Sequence, residues 1–139
     1  MIKRENGFTI AELLIAVVII AILAALTIPR FAGNKERAIA AEAIGMLSAI
    51  RQAEAAYRLE NPAYIDTTDF TSAGPLDVDA SSSTKFSYKV TDSTATTFNA
   101  TATQLTDHCK DRTIILNAAG TFSGDHPYGP VPGTGKCTN

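Results

Sequence analysis

Few residues in this 139-residue chain have the chemistry to act on a ligand or substrate, and their spacing limits what they can do. Cys109 and Cys137 enclose positions 110–136, 27 residues. A disulfide across that loop would contribute roughly 3–4 kcal/mol. Set beside His108 and His126, the same cysteines offer the donor types of a metal site. Their spacing follows no compact zinc pattern, so no metal is expected. There is no C-x-x-C-H haem attachment. Gly133-Thr134-Gly135-Lys136 resembles part of a phosphate-binding loop, but Pro130 stands where the first glycine is required and Cys137 where Ser or Thr is required. Asp66, Asp69, Asp77 and Asp79 follow no EF-hand order and read as solvated loop carboxylates. Asn99-Ala100-Thr101 fits a glycosylation sequon, a triplet common by chance. Both histidines lie in polar loop sequence, and no nucleophile–base set emerges from spacing. The expectation is a non-enzyme without a cofactor.

One ionisable residue stands apart. From Phe8 to Ile28, 21 residues, the only charge is Glu12. A helix of that length is about 31 Å long, close to the roughly 30 Å of a bilayer core. The segment therefore reads as membrane-inserted. A secretory signal would end in an A-x-A-like site. The region from Ile20 to Phe31, IAILAALTIPRF, contains none, so the apolar stretch is expected to be retained. Lys3 and Arg4 on one side and Arg30, Lys35 and Arg37 on the other leave orientation unsettled by charge. The two cysteines favour an oxidising compartment for the later part of the chain. An acid inside such a segment needs a partner.

The elements that must carry these residues follow from periodicity. Beyond Pro29 the helical pattern continues. Ala40, Ala43, Leu47, Ile50, Ala53 and Tyr57 mark one face, and Glu36, Arg37, Glu42, Arg51, Gln52, Glu54 and Arg58 supply polar positions. Glu54 and Arg58 have the favourable i, i+4 order, worth about 0.3–0.5 kcal/mol. Asn61-Pro62 predicts the stop. A helix from Phe8 to about Glu60 would be roughly 80 Å long, so its first half is expected to protrude. Pro29 lacks the amide a helix needs and predicts a kink. Residues 62–84 read as loop. Phe86, Tyr88 and Val90 alternate with polar neighbours, as do Phe98, Ala100 and Ala102 after a turn near Asp92-Ser93. Thr113 to Asn117 and Thr121 to Ser123 flank a turn at Ala118-Ala119-Gly120. From Asp125 onward the chain reads as loop. The fold class expected is α+β: a long helix, kinked near Pro29, whose C-terminal half packs on a small antiparallel sheet. A net charge of −2 gives no reason to expect nucleic acid.

Residues 7–14, GFTIAELL, bring a specific resemblance. A Gly, then Phe, an acid five positions after the Gly, and an uninterrupted aliphatic run resemble the processing site of the type IV pilin and pseudopilin family. Lys3 and Arg4 match its short basic leader. Ala11, where the family favours a bulkier residue, is a small departure. The resemblance covers residues 1 to about 60. It implies a leader at 1–7, cleavage between Gly7 and Phe8, and N-methylation of Phe8. It also implies a membrane and filament-core half at 8–30 and a pilin head at 31–139, with Cys109 and Cys137 stapling the C-terminal region.

Cutting there would place a new amine on Phe8, one turn from Glu12 on a continuous helix. A staggered neighbour's Phe8 amine would then neutralise Glu12. Head-to-tail contacts of this kind do not close and give fibres. The function so implied is a structural subunit of a homo-oligomeric type IV pilus. It would be held in the inner membrane as precursor and then exported to the cell surface. The implied partners are a prepilin peptidase and the pilus assembly machinery. The alternatives are a type II secretion pseudopilin in a periplasmic fibre, or a minor adhesive membrane-anchored protein.

Overall fold

The computed structural model describes residues 7–131 together with Gly133 and Cys137, and of residues 26–33 the backbone alone. Helix α1 spans Ile10–Glu60, 51 residues. It begins two residues later than the sequence predicts, because Thr9 caps it from outside. It ends where expected. The Asn61 amide reaches Tyr57 O at 3.1 Å, and Asn61 Nδ2 donates to the same oxygen at 2.9 Å. Pro62 follows with no amide to continue the ladder. The kink expected at Pro29 falls among residues 26–33, outside the described side chains.

The chain divides into two compact units, Met1–Lys35 and Glu36–Asn139. In the first, every large apolar side chain from Ile10 to Leu23 is more than half exposed, from 53% at Ile19 to 80% at Ile10. This stretch has no apolar surroundings of its own. Among the described residues no helix is long and apolar enough to cross a membrane. The span expected from Phe8 to Ile28 runs into residues 26–28, whose side chains are not described.

The second unit holds the core. Ile39, Ala40, Ala43, Leu47 and Ile50 of α1 are buried, with Ala53 and Tyr57 partly so. This is the face the helical period marks out. Four antiparallel strands follow: β1 Phe86–Thr91, β2 Asn99–Gln104, β3 Thr113–Asn117 and β4 Phe122–Gly124. They lie in the order β1-β2-β3-β4, each paired with its neighbour in sequence. Tyr88 faces Ala102, and Ala102 faces Ile114, so one face carries Phe86, Tyr88, Val90, Ala100, Ala102, Ile114 and Leu116 into the same cluster as the helix. Period-two alternation is the cause, since every second side chain points inward. The loop adds Phe70, Leu76 and Ala80 to this core. An isolated bridge, Thr67 to Val90, pairs part of the outer edge of β1.

The last strand starts at Phe122, one residue later than predicted, and extends to Gly124. Its turn is closed by the Gly120 amide on Asn117 O at 2.9 Å, and Gly120 sits at φ 87°, where a Cβ is disfavoured. Arg51 Nε donates to Ala118 O at 3.0 Å and fixes this turn to the helix.

Three expectations about polar residues fail. Glu36 and Glu54, expected among the polar positions opposite the apolar face, are 4% and 0% exposed. Glu54 does not meet Arg58. It accepts from the Ile65 amide at 3.2 Å, whereas Arg58 bonds Ala95 O and Asn61 O. His126, expected in a polar loop, is 1% exposed. Helical period alone cannot anticipate these, because a loop that folds back over a helix buries positions the isolated helix would leave wet.

Candidate functional site

Two places carry the residues singled out by sequence. The first is the start of α1. Gly7, Phe8 and Glu12 are all exposed. The Thr9 amide donates to Glu12 Oε2 at 2.9 Å and the Thr9 hydroxyl donates to the same oxygen at 2.8 Å. In return the Glu12 amide donates to Thr9 Oγ1 at 3.2 Å. This is a reciprocal capping box, which satisfies two of the four amide donors orphaned at a helix start. The carboxylate also lies against the positive end of the helix dipole. Sequence reasoning missed the box, although Thr9-Ile10-Ala11-Glu12 fits its S/T-x-x-E signature. Phe8 precedes the cap and so lies outside the helix, not one turn along it from Glu12 as a helix beginning at Phe8 would require. The expected meeting of Glu12 with a Phe8 amine concerns a second subunit.

The second place is where the tail meets the core. The β2–β3 loop carries Cys109, which is buried and disulfide-bonded to Cys137 with Cα atoms 4.5 Å apart. His108, next to it, is exposed. Asp125 opens the tail. It accepts from the Thr113 amide at 2.7 Å, the Thr113 hydroxyl at 2.9 Å and the Arg112 guanidinium at 2.9 Å. Burial works against its charge, but these donors outweigh it and hold its pKa below the usual range.

His126 follows, sealed beneath the tail. Its Nε2 pairs with Gln104 Oε1 at 2.7 Å, and its Nδ1 accepts from the Tyr128 amide at 3.2 Å. Gln104 Nε2 in turn donates to Glu36 Oε2 at 3.2 Å. With Nδ1 as acceptor, Nε2 carries the proton and the ring is neutral. Burial lowers the imidazole pKa further, against the opposing pull of Glu36 and Asp125. Glu36, Cys109 and His126 each bring one possible ligand atom within 4.8 Å of the others, but Cys109 Sγ is committed to its disulfide. The signal for this network was present in β2. Phe98, Ala100 and Ala102 set the inward phase, and Gln104 is the next residue in it.

The remaining candidates do not gather. Asp66 accepts from the Ser93 amide at 2.9 Å and so ties the loop after α1 to the β1–β2 turn, whereas Asp79 accepts from the Ser81 amide at 2.9 Å within its own loop. Asn99 lies in β2 with its Nδ2 on Asp92 Oδ2 at 3.1 Å. Among the described residues, no nucleophile lies beside a base in an arrangement that performs catalysis.

A capped acid at the head of an exposed apolar helix, followed by a helix half packed on a four-stranded antiparallel sheet, is a pilin-like arrangement. Residues 2–28 match the family model described as the prokaryotic N-terminal methylation motif. The N-terminal region is similar to proteins named type II secretion system core protein G. That of Aeromonas hydrophila is 38% identical over 65 residues, 47% of this chain and 46% of the relative. That of Vibrio cholerae serotype O1 is 39% identical over 67 residues, 48% and 45%. That of Escherichia coli K12 is 38% identical over 64 residues, 46% and 44%. The chain thus spans under half the length of these relatives. No solved structure matches. Motif and relatives together support the type IV pilin and pseudopilin family that the sequence resembles. Within it they favour the pseudopilin over the surface-pilus subunit that was the leading expectation.

Proposed function

We propose that this chain is a pseudopilin-type structural subunit that assembles into a fibre serving type II secretion. The observation that carries the reading is the similarity of its N-terminal region to type II secretion system core protein G. In this reading the precursor is held in the inner membrane by the apolar stretch that opens at Phe8. A leader peptidase cuts after Gly7, and the new Phe8 amine is methylated. The exposed aliphatic surface from Ile10 to Leu23 then exchanges lipid for the helices of neighbouring subunits. Burying that surface supplies the attraction, at about 25 cal/mol per Å². Glu12 supplies the register. A carboxylate among apolar helices is costly unless a cation meets it, and a neighbour's Phe8 amine is the cation in reach. The Thr9 box keeps the acid satisfied until that partner arrives. A motor ATPase and a platform protein are the partners such a fibre requires.

The test is a deletion strain complemented by this chain, together with electron microscopy of sheared cell surfaces. Loss of secreted enzymes in the deletion strain, with no surface fibre in the parent, is the expected result. Glu12→Val should still be cut at Gly7 but fail to assemble. Assembly of that variant at the wild-type level would sink the proposal.

A surface pilus is the second reading, and the Cys109–Cys137 staple favours it, since pilins similar to this chain close their C-terminal region in that way. Sheared fibres made chiefly of this chain would decide for it.

A further inference from the structure

The sheet has a second face, turned away from the core. Side chains alternate along each strand, so the residues that do not enter the core line up across this face. Lys89 of β1 stands opposite Thr101 of β2, Thr101 opposite Ile115 of β3, and Ile115 opposite Ser123 of β4, one row across the sheet. Thr91 and Asn99 pair in the row beside it. Strands favour threonine on any wet face, so the hydroxyls alone are ordinary. The shape is not. These residues line a hollow of about 410 Å³, a size within the range of small-molecule sites. Thr101 is the most buried of them at 7% exposure, and among the described residues its hydroxyl has no hydrogen-bond partner.

Lys89 is exposed and meets no carboxylate among the described residues. Asp92, at the rim, is turned to other donors: its Oδ2 accepts from the Thr91 hydroxyl at 3.2 Å and from Asn99 Nδ2 at 3.1 Å. The amide oxygen of Asn99 and the second oxygen of Asp92 remain as acceptors. The hollow thus offers one cation, hydroxyls that both give and accept, two plain acceptors and one aliphatic side chain, Ile115.

We propose that this hollow binds a short oligosaccharide bearing carboxylates. Lys89 takes a sugar carboxylate. Thr101 and Ser123 bond ring hydroxyls, Asn99 and Asp92 accept from others, and Ile115 meets the C–H face of a ring. Other occupants fit less well. A second copy docked sheet to sheet about a twofold axis would set Lys89 against its own like charge. A nucleic acid would need several cations for its phosphates, and the hollow has one. The inference does not depend on the fibre reading, because it needs only the folded head.

The test uses the full chain, labelled with ¹⁵N in detergent micelles and titrated with an oligogalacturonate. Maltohexaose, acetate and polyglutamate at matched concentration are the comparisons. The oligogalacturonate should shift the amide signals of Lys89, Thr101 and Ile115, and the three comparisons should shift them little. Lys89→Ala should weaken binding at least about tenfold, and Thr101→Val, which keeps the shape and removes the hydroxyl, about fivefold. Lys110→Ala, an exposed lysine outside the hollow, should change nothing. The amide spectrum shows that each variant keeps its fold, and should one unfold, the shifts in the unmodified chain decide. No shift with oligogalacturonate, shifts centred away from the hollow, or equal shifts from any comparison would overturn the proposal. So would affinity unchanged in both folded hollow variants.

Discussion

Gln104 of β2 donates its side-chain amide to Glu36 of α1 at 3.2 Å, joining residues 68 positions apart in the chain. Among the described residues it is the one side-chain or backbone donor to the Glu36 carboxylate. Replacing it with Leu leaves a buried carboxylate without a partner, a change costing about 2–3 kcal/mol. Urea unfolding of Gln104→Leu should show an unfolding free energy lower by about that amount, read as a lower midpoint. In the double variant with Glu36→Leu only part of the loss should return, since the carboxylate is gone but buried His126 Nε2 still lacks its Gln104 partner. Additive losses would show that the pair is not coupled.

Much of this architecture is legible in the amino-acid sequence. The helix stop at Asn61-Pro62, the inward phase of Phe86-Tyr88-Val90 and the turn before Thr121 are local matters, decided by residues adjacent to one another. The burial of Glu36, Glu54 and His126 is not legible in their neighbours, because it is decided by distant segments. His126 pairs with Gln104 of β2, Glu54 bonds the loop amide of Ile65, and Glu36 meets a strand far along the chain. The Thr9–Glu12 box is legible in the S/T-x-x-E spacing, because both partners lie within one helical turn.

Glu54 has a raised pKa because burial penalises its charged form, with Asp66 adding repulsion and the Ile65 amide opposing. The folded state therefore prefers the protonated acid. Its contribution is fully present below the ordinary value of 4.5 and is lost as pH rises through the raised value. Glu54→Gln keeps an acceptor for Ile65 and cannot ionise. Thermal unfolding across this range should show the variant level with wild type below pH 4.5 and more stable near neutrality, by about 1 kcal/mol. A gap that does not grow with pH would refute the assignment.

Cys137→Ser removes the covalent tie from the tail to the β2–β3 loop. The loss should be about 3–4 kcal/mol, read as a lower melting temperature in nonreducing buffer. Reductant should move the wild type toward the variant and leave the variant where it is. Because His126 lies beneath the same tail, its amide should exchange faster in the variant than those of β2.

Gly124 pairs with Ile114 at φ 119°, and an added Cβ would run into the Thr113 carbonyl. Gly124→Ala combines a strained backbone with a clash, at a cost of about 1–3 kcal/mol. Gly45, with open space around its Cα, is the control. Gly45→Ala should stabilise the helix by about 1 kcal/mol in the same denaturation assay.

The serial pairing of the four strands also bears on how the chain reaches its native state. Each hairpin closes over a short stretch of polypeptide, so the entropy lost at every step is small and the search is quick. Only the joining of helix to sheet and of tail to loop must wait for distant partners. Cys137 comes after every strand, so an oxidant acting on a half-finished molecule finds no correct mate for Cys109. The crosslink thus acts as a latch on a completed subunit.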